Sequence, residues 1–388
     1  TPMKKVLALV MAAALALSLV ACGGSDSSSS TPASQAASSA AGSIASTVPA
    51  GGKVGICIYK FDDNFMTVYR NKLEEILTGK GYEVSVVDGN NDQAKQTEQI
   101  QTFITQGVDY ILFTGVVSTG WDEVLKEVNE AEIPLILLDR IPSCVDDIEY
   151  AAAFGGDFVE EGRRMVRWLA NYLEKEGRGE EEINIVMLEG TTGADAQVGR
   201  SEGILAELEN HPNMTLVESQ TGNFTRAEGQ QVMETFLNSI EDIDVLLAQN
   251  DDMALGAIEA IKSAGLKPGE DIIIIGCDSV KAAFEAVVAG EMNCTVECTP
   301  LYADFLIPTI EGLEAGETYG REIIHPEEYC YDAEGGIPYT EDGELILESL
   351  RRKLGPSEKD APPAILSMPQ YPRIARYIEL QKQKSEEI

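Results

Sequence analysis

The chain has 388 residues, 65 acidic side chains against 29 Lys and Arg for a formal charge of -36, and 44% hydrophobic residues. So acidic a chain repels nucleic acid and anionic lipid surfaces, while its length and apolar content suffice for one large or two medium domains with real cores. Its seven cysteines are too scattered for the disulfide framework of a small secreted domain, and its two histidines leave little for imidazole catalysis or a zinc site.

Lys4 and Lys5 precede an apolar run from Val6 to Val20 that is too short to span a bilayer comfortably. Small residues follow, and Leu19-Val20-Ala21-Cys22 resembles the bacterial lipobox. Residues 1–22 are therefore expected to be a signal peptide, with Cys22 lipidated on the outer face of the cytoplasmic membrane. Ser25 to Pro49 is almost entirely Ser, Ala, Thr, Gly and Pro, which buries too little apolar surface to offset its ordering entropy. Residues 23–50 are expected to be a flexible linker.

From Lys53 onward, short β-branched runs alternate with longer amphipathic segments. Val54–Tyr59 opens the series, and strands are predicted at 83–87, 110–114, 135–138, 151–154, 184–188, 215–218, 245–248, 272–275, 295–298 and 323–324, with helical patterns between nearly all of them. Continuous apolar strands with short intervals predict parallel sheets covered by helices on both faces. The pattern restarts near Ile183, which predicts two similar α/β lobes. No GxGxxG opens the first helix, and neither GxxxxGK[ST] nor GxSxG occurs, so nucleotide-binding and hydrolase readings lack their markers. Cys294 and Cys298 fall in a predicted strand that separates their sulfurs, and no metal is expected.

In parallel α/β sheets, ligands collect at the carboxyl ends of strands. Asp62, Asp63, Asn64 and Phe65 stand there after the first strand, and Asp139 and Arg140 after the fourth. The second lobe offers Asp195, Arg200, Asn223, Phe224, Asn250, Asp251 and Asp278. Carboxylates, guanidiniums and amides take both sides of hydroxyl groups, while aromatic faces cover the C–H patches of a sugar ring. Plainer roles compete: Asp251 reads as an N-cap, Asp278 as a cap of the helix starting near Val280, and Phe224 as core. Arg200 is hardest to explain as packing, because a buried guanidinium needs partners.

Tyr59-Lys60-Phe61-Asp62-Asp63-Asn64-Phe65-Met66 resembles the first-strand segment of bacterial glucose/galactose-binding proteins. The segments 115–121, 137–140, 220–226 and 249–258 are similar to the galactofuranose- and ribose-binding branch of the same periplasmic-binding-protein superfamily. The resemblance covers roughly 53–316. It implies a type I architecture, two doubly wound parallel-sheet lobes joined by a three-segment hinge, with residues 51–156 plus 299–325 in one lobe and 157–298 in the other. Residues 326–388 lie beyond it, as an extension expected to wrap the surface. The hinge is expected near Gly155-Gly156, Cys298-Thr299-Pro300 and His325-Pro326. Carried over by position, Asp63, Phe65, Asp139 and Arg140 would contact a monosaccharide from the first lobe, and Arg200, Phe224, Asn250 and Asp278 from the second. Family members place Gln or Asn where Cys298 aligns; either the adjacent Glu297 compensates or that contact is lost. The calcium loop of the glucose/galactose branch has no counterpart in Glu176–Glu182.

The resemblance thus implies a monomeric, non-enzymatic, cofactor-free lipoprotein that delivers a hexose, galactose before glucose, to an ABC permease. The alternative is a sugar or autoinducer receptor feeding a membrane sensor kinase or chemoreceptor. A transcription regulator of the same fold is disfavoured by the charge, the export signal and the lack of a basic helix-turn-helix.

Overall fold

The computed structural model describes residues 51–62, 64–298, 303–319, 321, 323–325, 328–333 and 335–337. Cys22, the segments 1–22 and 23–50, Asp63 and most of 326–388 lie outside the described residues.

The first sheet contains β1 (Lys53–Ile58), β2 (Glu83–Asp88), β3 (Tyr110–Phe113), β4 (Leu135–Asp139), β5 (Ala152–Gly155) and β11 (Ile323–Ile324), ordered β11-β5-β4-β3-β1-β2. Every pairing is parallel. β3, β4 and β5 are buried at every residue, as central strands covered on both faces must be. α1 (Asn64–Gly79), α2 (Gln93–Gln106), α3 (Asp122–Glu130) and α9 (Ala303–Glu314) belong to this lobe. Local chemistry fixes their ends: Asp92 caps α2 by accepting from the Ala94 and Lys95 amides, and Gly107 closes it at φ 61°.

The second sheet contains β6 (Ile183–Glu189), β7 (Met214–Thr221), β8 (Val245–Ala248), β9 (Ile273–Cys277), β10 (Cys294–Val296), β12 (Cys330–Asp332) and β13 (Gly335–Ile337), ordered β13-β12-β10-β9-β8-β6-β7. It is parallel up to β10, whereas β12 and β13 add antiparallel. α4 (Phe158–Lys175), α5 (Asp195–Leu208), α6 (Arg226–Ser239), α7 (Asp251–Ser263) and α8 (Lys281–Ala289) supply its helices. Each sheet has its own apolar core, and Phe65 packs against both. The start of the segment expected to wrap the surface thus builds two strands of the second sheet, and Tyr331 is buried there against Phe284 at 5.2 Å between ring centroids.

The chain passes between the sheets three times, after β5, after β10 and after β11. His325 Nδ1 lies 2.9 Å from the Gly155 carbonyl and ties the third passage to the first.

Candidate functional site

Strand ends from both sheets converge on a cavity of about 450 Å³, open solvent at its mouth included. Tyr59, Phe65, Asp139 and Arg140 line it from the first lobe. Phe158, Ala196, Arg200, Phe224, Asn250, Asp252, Asp278, Val280 and Cys298 line it from the second.

The first-lobe wall rests on the end of β4. Asp139 takes a left-handed backbone, φ 62°, a turn that Asp tolerates better than most residues. Arg140 donates from Nη1 to the Val116 carbonyl at 3.0 Å. Its guanidinium carbon lies 3.7 Å from the centroid of the Tyr59 ring and 5.5 Å from that of Phe224, so the cation sits close over Tyr59 with Phe224 also in cation–π range.

Arg200 sits one turn into α5, and the close approach of α4 fixes that helix. A Cβ on Gly203 would stand 1.9 Å from the Val159 carbonyl oxygen, so only glycine permits the crossing. Each nitrogen of the guanidinium has a protein acceptor. Nε donates to Glu161 at 2.7 Å, Nη2 to Asp278 at 3.2 Å, and Nη1 to the Gln249 carbonyl. Burial alone would lower its pKa, but the surrounding Cys277, Glu161 and Asp278 outweigh that and hold it well above the usual value. Burial raises the Asp139 carboxyl to about 6, against the pull of Arg140 and Arg200.

Phe224 and Asn223 both have positive φ, 58° and 53°, a tight turn after β7 that aims the ring into the cavity. Asn250 caps α7 by accepting from the Met253 amide at 2.9 Å and donates to the Phe224 carbonyl at 3.3 Å. The cap is therefore Asn250. Asp251 instead accepts from Thr295 Oγ1 and from the Val280 amide, tying α7 to β10 and α8. Asp278 is no simple cap either, since it pairs with Arg200.

Seven residues picked from strand ends, Phe65, Asp139, Arg140, Arg200, Phe224, Asn250 and Asp278, line one cavity. Asp63 lies outside the described residues. Glu297 is turned away: its Oε2 accepts from the Tyr331 hydroxyl at 3.0 Å, and Cys298 lines the cavity instead. Sequence reasoning missed Tyr59, Phe158, Ala196, Asp252 and Val280 as lining residues. Ala196 carried a signal, because it precedes Arg200 by four positions and so shares its helix face.

Glu161, Cys298 and Glu328 each bring a ligand-type atom within 4.8 Å of the others. Arg200 meets Glu161 at 2.7 Å and Arg164 approaches Glu328 at 3.6 Å, so both carboxylates of the cluster already have cationic partners and form part of an ion-pair network. Burial pushes the Cys298 thiol well above its ordinary pKa, which makes it a poor nucleophile. The lobes also touch directly across the cleft. The Ser118 amide donates to the Gly193 carbonyl at 2.9 Å, and the Ile141 amide to Asp195 at 2.9 Å.

Residues 54–300 match the family described as Periplasmic binding protein domain. The chain is 39% identical to the galactofuranose-binding protein YtfQ of Escherichia coli (strain K12) over 251 residues, 64% of this chain and 76% of that protein. A Mycobacterium smegmatis protein crystallised with β-D-fucofuranose superposes with a TM-score of 0.69 at 39% identity, over 78% of this chain and 96% of that one. A galactofuranose-binding protein superposes with a TM-score of 0.67 at 33% identity, over 72% and 94% of the two chains. The chain belongs to the periplasmic binding protein family. It is an extracytoplasmic solute receptor, not an enzyme.

Proposed function

We propose that the chain captures a neutral monosaccharide between its lobes and delivers it to an ABC permease, with a hexose, galactose in either ring form ahead of glucose, as the ligand. One observation carries this reading. Both guanidiniums lining the cavity are engaged by protein acceptors, Asp139 and Asp278 stand beside them, and Asp252, paired with Arg226 at 2.7 Å, adds a third carboxylate to the wall. Such a site offers a neutral polyol both donors and acceptors and repels an anionic group. Phe65, Phe158, Phe224 and Tyr59 supply apolar faces for a ring. The sugar relatives in the galactofuranose and fucofuranose series support the hexose choice.

In this reading Asp63, Phe65, Asp139 and Arg140 hold the sugar from the lobe of residues 51–156 and 299–325, and Arg200, Phe224, Asn250 and Asp278 from the lobe of 157–298. The lobes turn about the three chain passages and exclude water from the bound ring, which strengthens its hydrogen bonds. Cys22 carries the lipid that keeps the monomeric protein beside its permease, where tethering raises its effective concentration. Calorimetry with D-galactose, D-glucose, D-ribose, L-arabinose, myo-inositol and D-galacturonate tests the reading. The neutral hexoses are expected to bind and the anionic D-galacturonate to fail, and tightest binding of D-galacturonate overturns it. Release of a Cys22→Ala protein into the medium checks the anchor.

A further inference from the structure

Asp195 is the first residue of α5, in the second lobe, and lines no part of the cavity. Its Oδ2 accepts a 2.9 Å hydrogen bond from the amide of Ile141 in the first lobe. Ile141 directly follows Asp139 and Arg140, the two polar first-lobe residues of the cavity wall. The donor is preorganised twice over. Pro142 restricts the Ile141 backbone to extended conformations, and the same segment rests on Gly155, where a Cβ would meet the Asp139 carbonyl oxygen at 3.0 Å and Ile141 Cγ1 at 3.1 Å. Gly155 ends β5, at the first passage between the lobes. A charge-assisted bond therefore joins the start of α5 in one lobe to the segment that aims Asp139 and Arg140 in the other.

We propose that Asp195 is a positioning residue and closure latch: by accepting the Ile141 amide across the cleft it holds the lobes together and fixes Asp139 and Arg140 in their cavity-facing orientation. The closure half stands by itself, while the orientation half rests on the capture function proposed above. Ser118 donates to the Gly193 carbonyl from its amide at 2.9 Å and from its hydroxyl at 3.2 Å; neither bond involves Asp195, so loss of the latch loosens closure without abolishing it. The latch acts mainly on dissociation, because a bond that spans the cleft must break before the lobes part and the ligand leaves.

Asp195→Ser and Asp195→Asn test the proposal in the full chain. Serine suits a helix start but is too short to reach Ile141, whereas asparagine keeps an acceptor oxygen in place. In Asp195→Ser, hydrogen exchange at the Ile141 amide is expected to quicken about tenfold or more, with exchange along β4 unchanged. X-ray scattering without sugar should show a larger radius of gyration, and D-galactose used as probe should dissociate about tenfold faster with little change in association rate. Asp195→Asn should restore most of each. Unaltered Ile141 exchange and unaltered scattering in Asp195→Ser, or an Asp195→Asn protein as loose as Asp195→Ser, overturns the latch. Failure of D-galactose to bind the parent would instead count against the sugar reading, because exchange and scattering still judge the latch.

Discussion

Arg200 and Glu161 meet through a 2.7 Å bond from Nε with both side chains almost wholly buried, 3% and 0% exposed. Arg200 is thus a structural cation as well as part of the cavity wall, because Glu161 and Asp278 depend on it for their counter-charge. Removing one partner of a buried pair leaves the other charged and unpaired. Arg200→Ala is expected to cost about 3–5 kcal/mol of stability in urea unfolding, together with loss of ligand binding. A variant that lost binding at parental stability would show that the carboxylates find another partner.

Asp139 sets a pH dependence whose sign follows from its raised pKa. Its folded value is about 6 against 3.8 for the free group, so between these values the folded state binds the extra proton. The stabilisation from Asp139 is complete below about pH 4 and is lost as pH rises through about 6, amounting to about 3 kcal/mol at 1.36 kcal/mol per unit. Burial shifts Glu160 and Asp195 the same way, so the measurement is a difference. Asn tolerates the left-handed backbone of this position, and Asp139→Asn should gain stability on the parent as pH rises from 4 to 7. Parallel stability profiles across that range would contradict the assignment.

The parallel lobes were legible because buried strands such as Tyr110–Phe113 and Leu135–Leu138 are continuous apolar runs, and strand ends are where such folds gather ligands. Three features were not, each for a physical reason. Alternation along an extended segment decides which of Glu297 and Cys298 faces the cavity, and a shift of one residue reverses the answer. The pattern around Asn250 and Asp251 announces an N-cap without saying which residue makes it, since the partners of Asp251, Thr295 and Val280, lie 44 and 29 residues away. Cys330–Asp332 is a three-residue strand among acidic neighbours, too short to show a period.

Phe224 owes its place to Gly190 at the end of β6. A Cβ on Gly190 would stand 1.9 Å from Cζ of the Phe224 ring, so Gly190→Ala must push the ring out of the cavity wall. Overpacking of this kind costs about 1–3 kcal/mol, and ligand affinity should fall with it. The double variant Gly190→Ala/Phe224→Ala removes the clash. It should regain part of the stability in thermal melts but none of the affinity. Recovery of affinity in the double variant would remove Phe224 from the ligand's environment.

β12 is expected to be structural although it lies beyond residues 54–300, the span that matches the family. Trp168 Nε1 donates to Asp332 at 2.9 Å, both residues being buried, and Tyr331 packs edge-on to Phe284 while its hydroxyl donates to Glu297. β12 also covers β10, which would otherwise present an unpaired edge. Tyr331→Ala should cost about 3–5 kcal/mol, the usual loss for a buried aromatic ring. Asp332→Ala should cost about 1–3 kcal/mol, because the buried indole N–H loses its acceptor. Urea unfolding of a chain ending at His325 gives the decisive comparison: without β12 the second lobe should unfold at a clearly lower midpoint. An unchanged midpoint would mean that α4 and β10 hold the edge of the sheet by themselves.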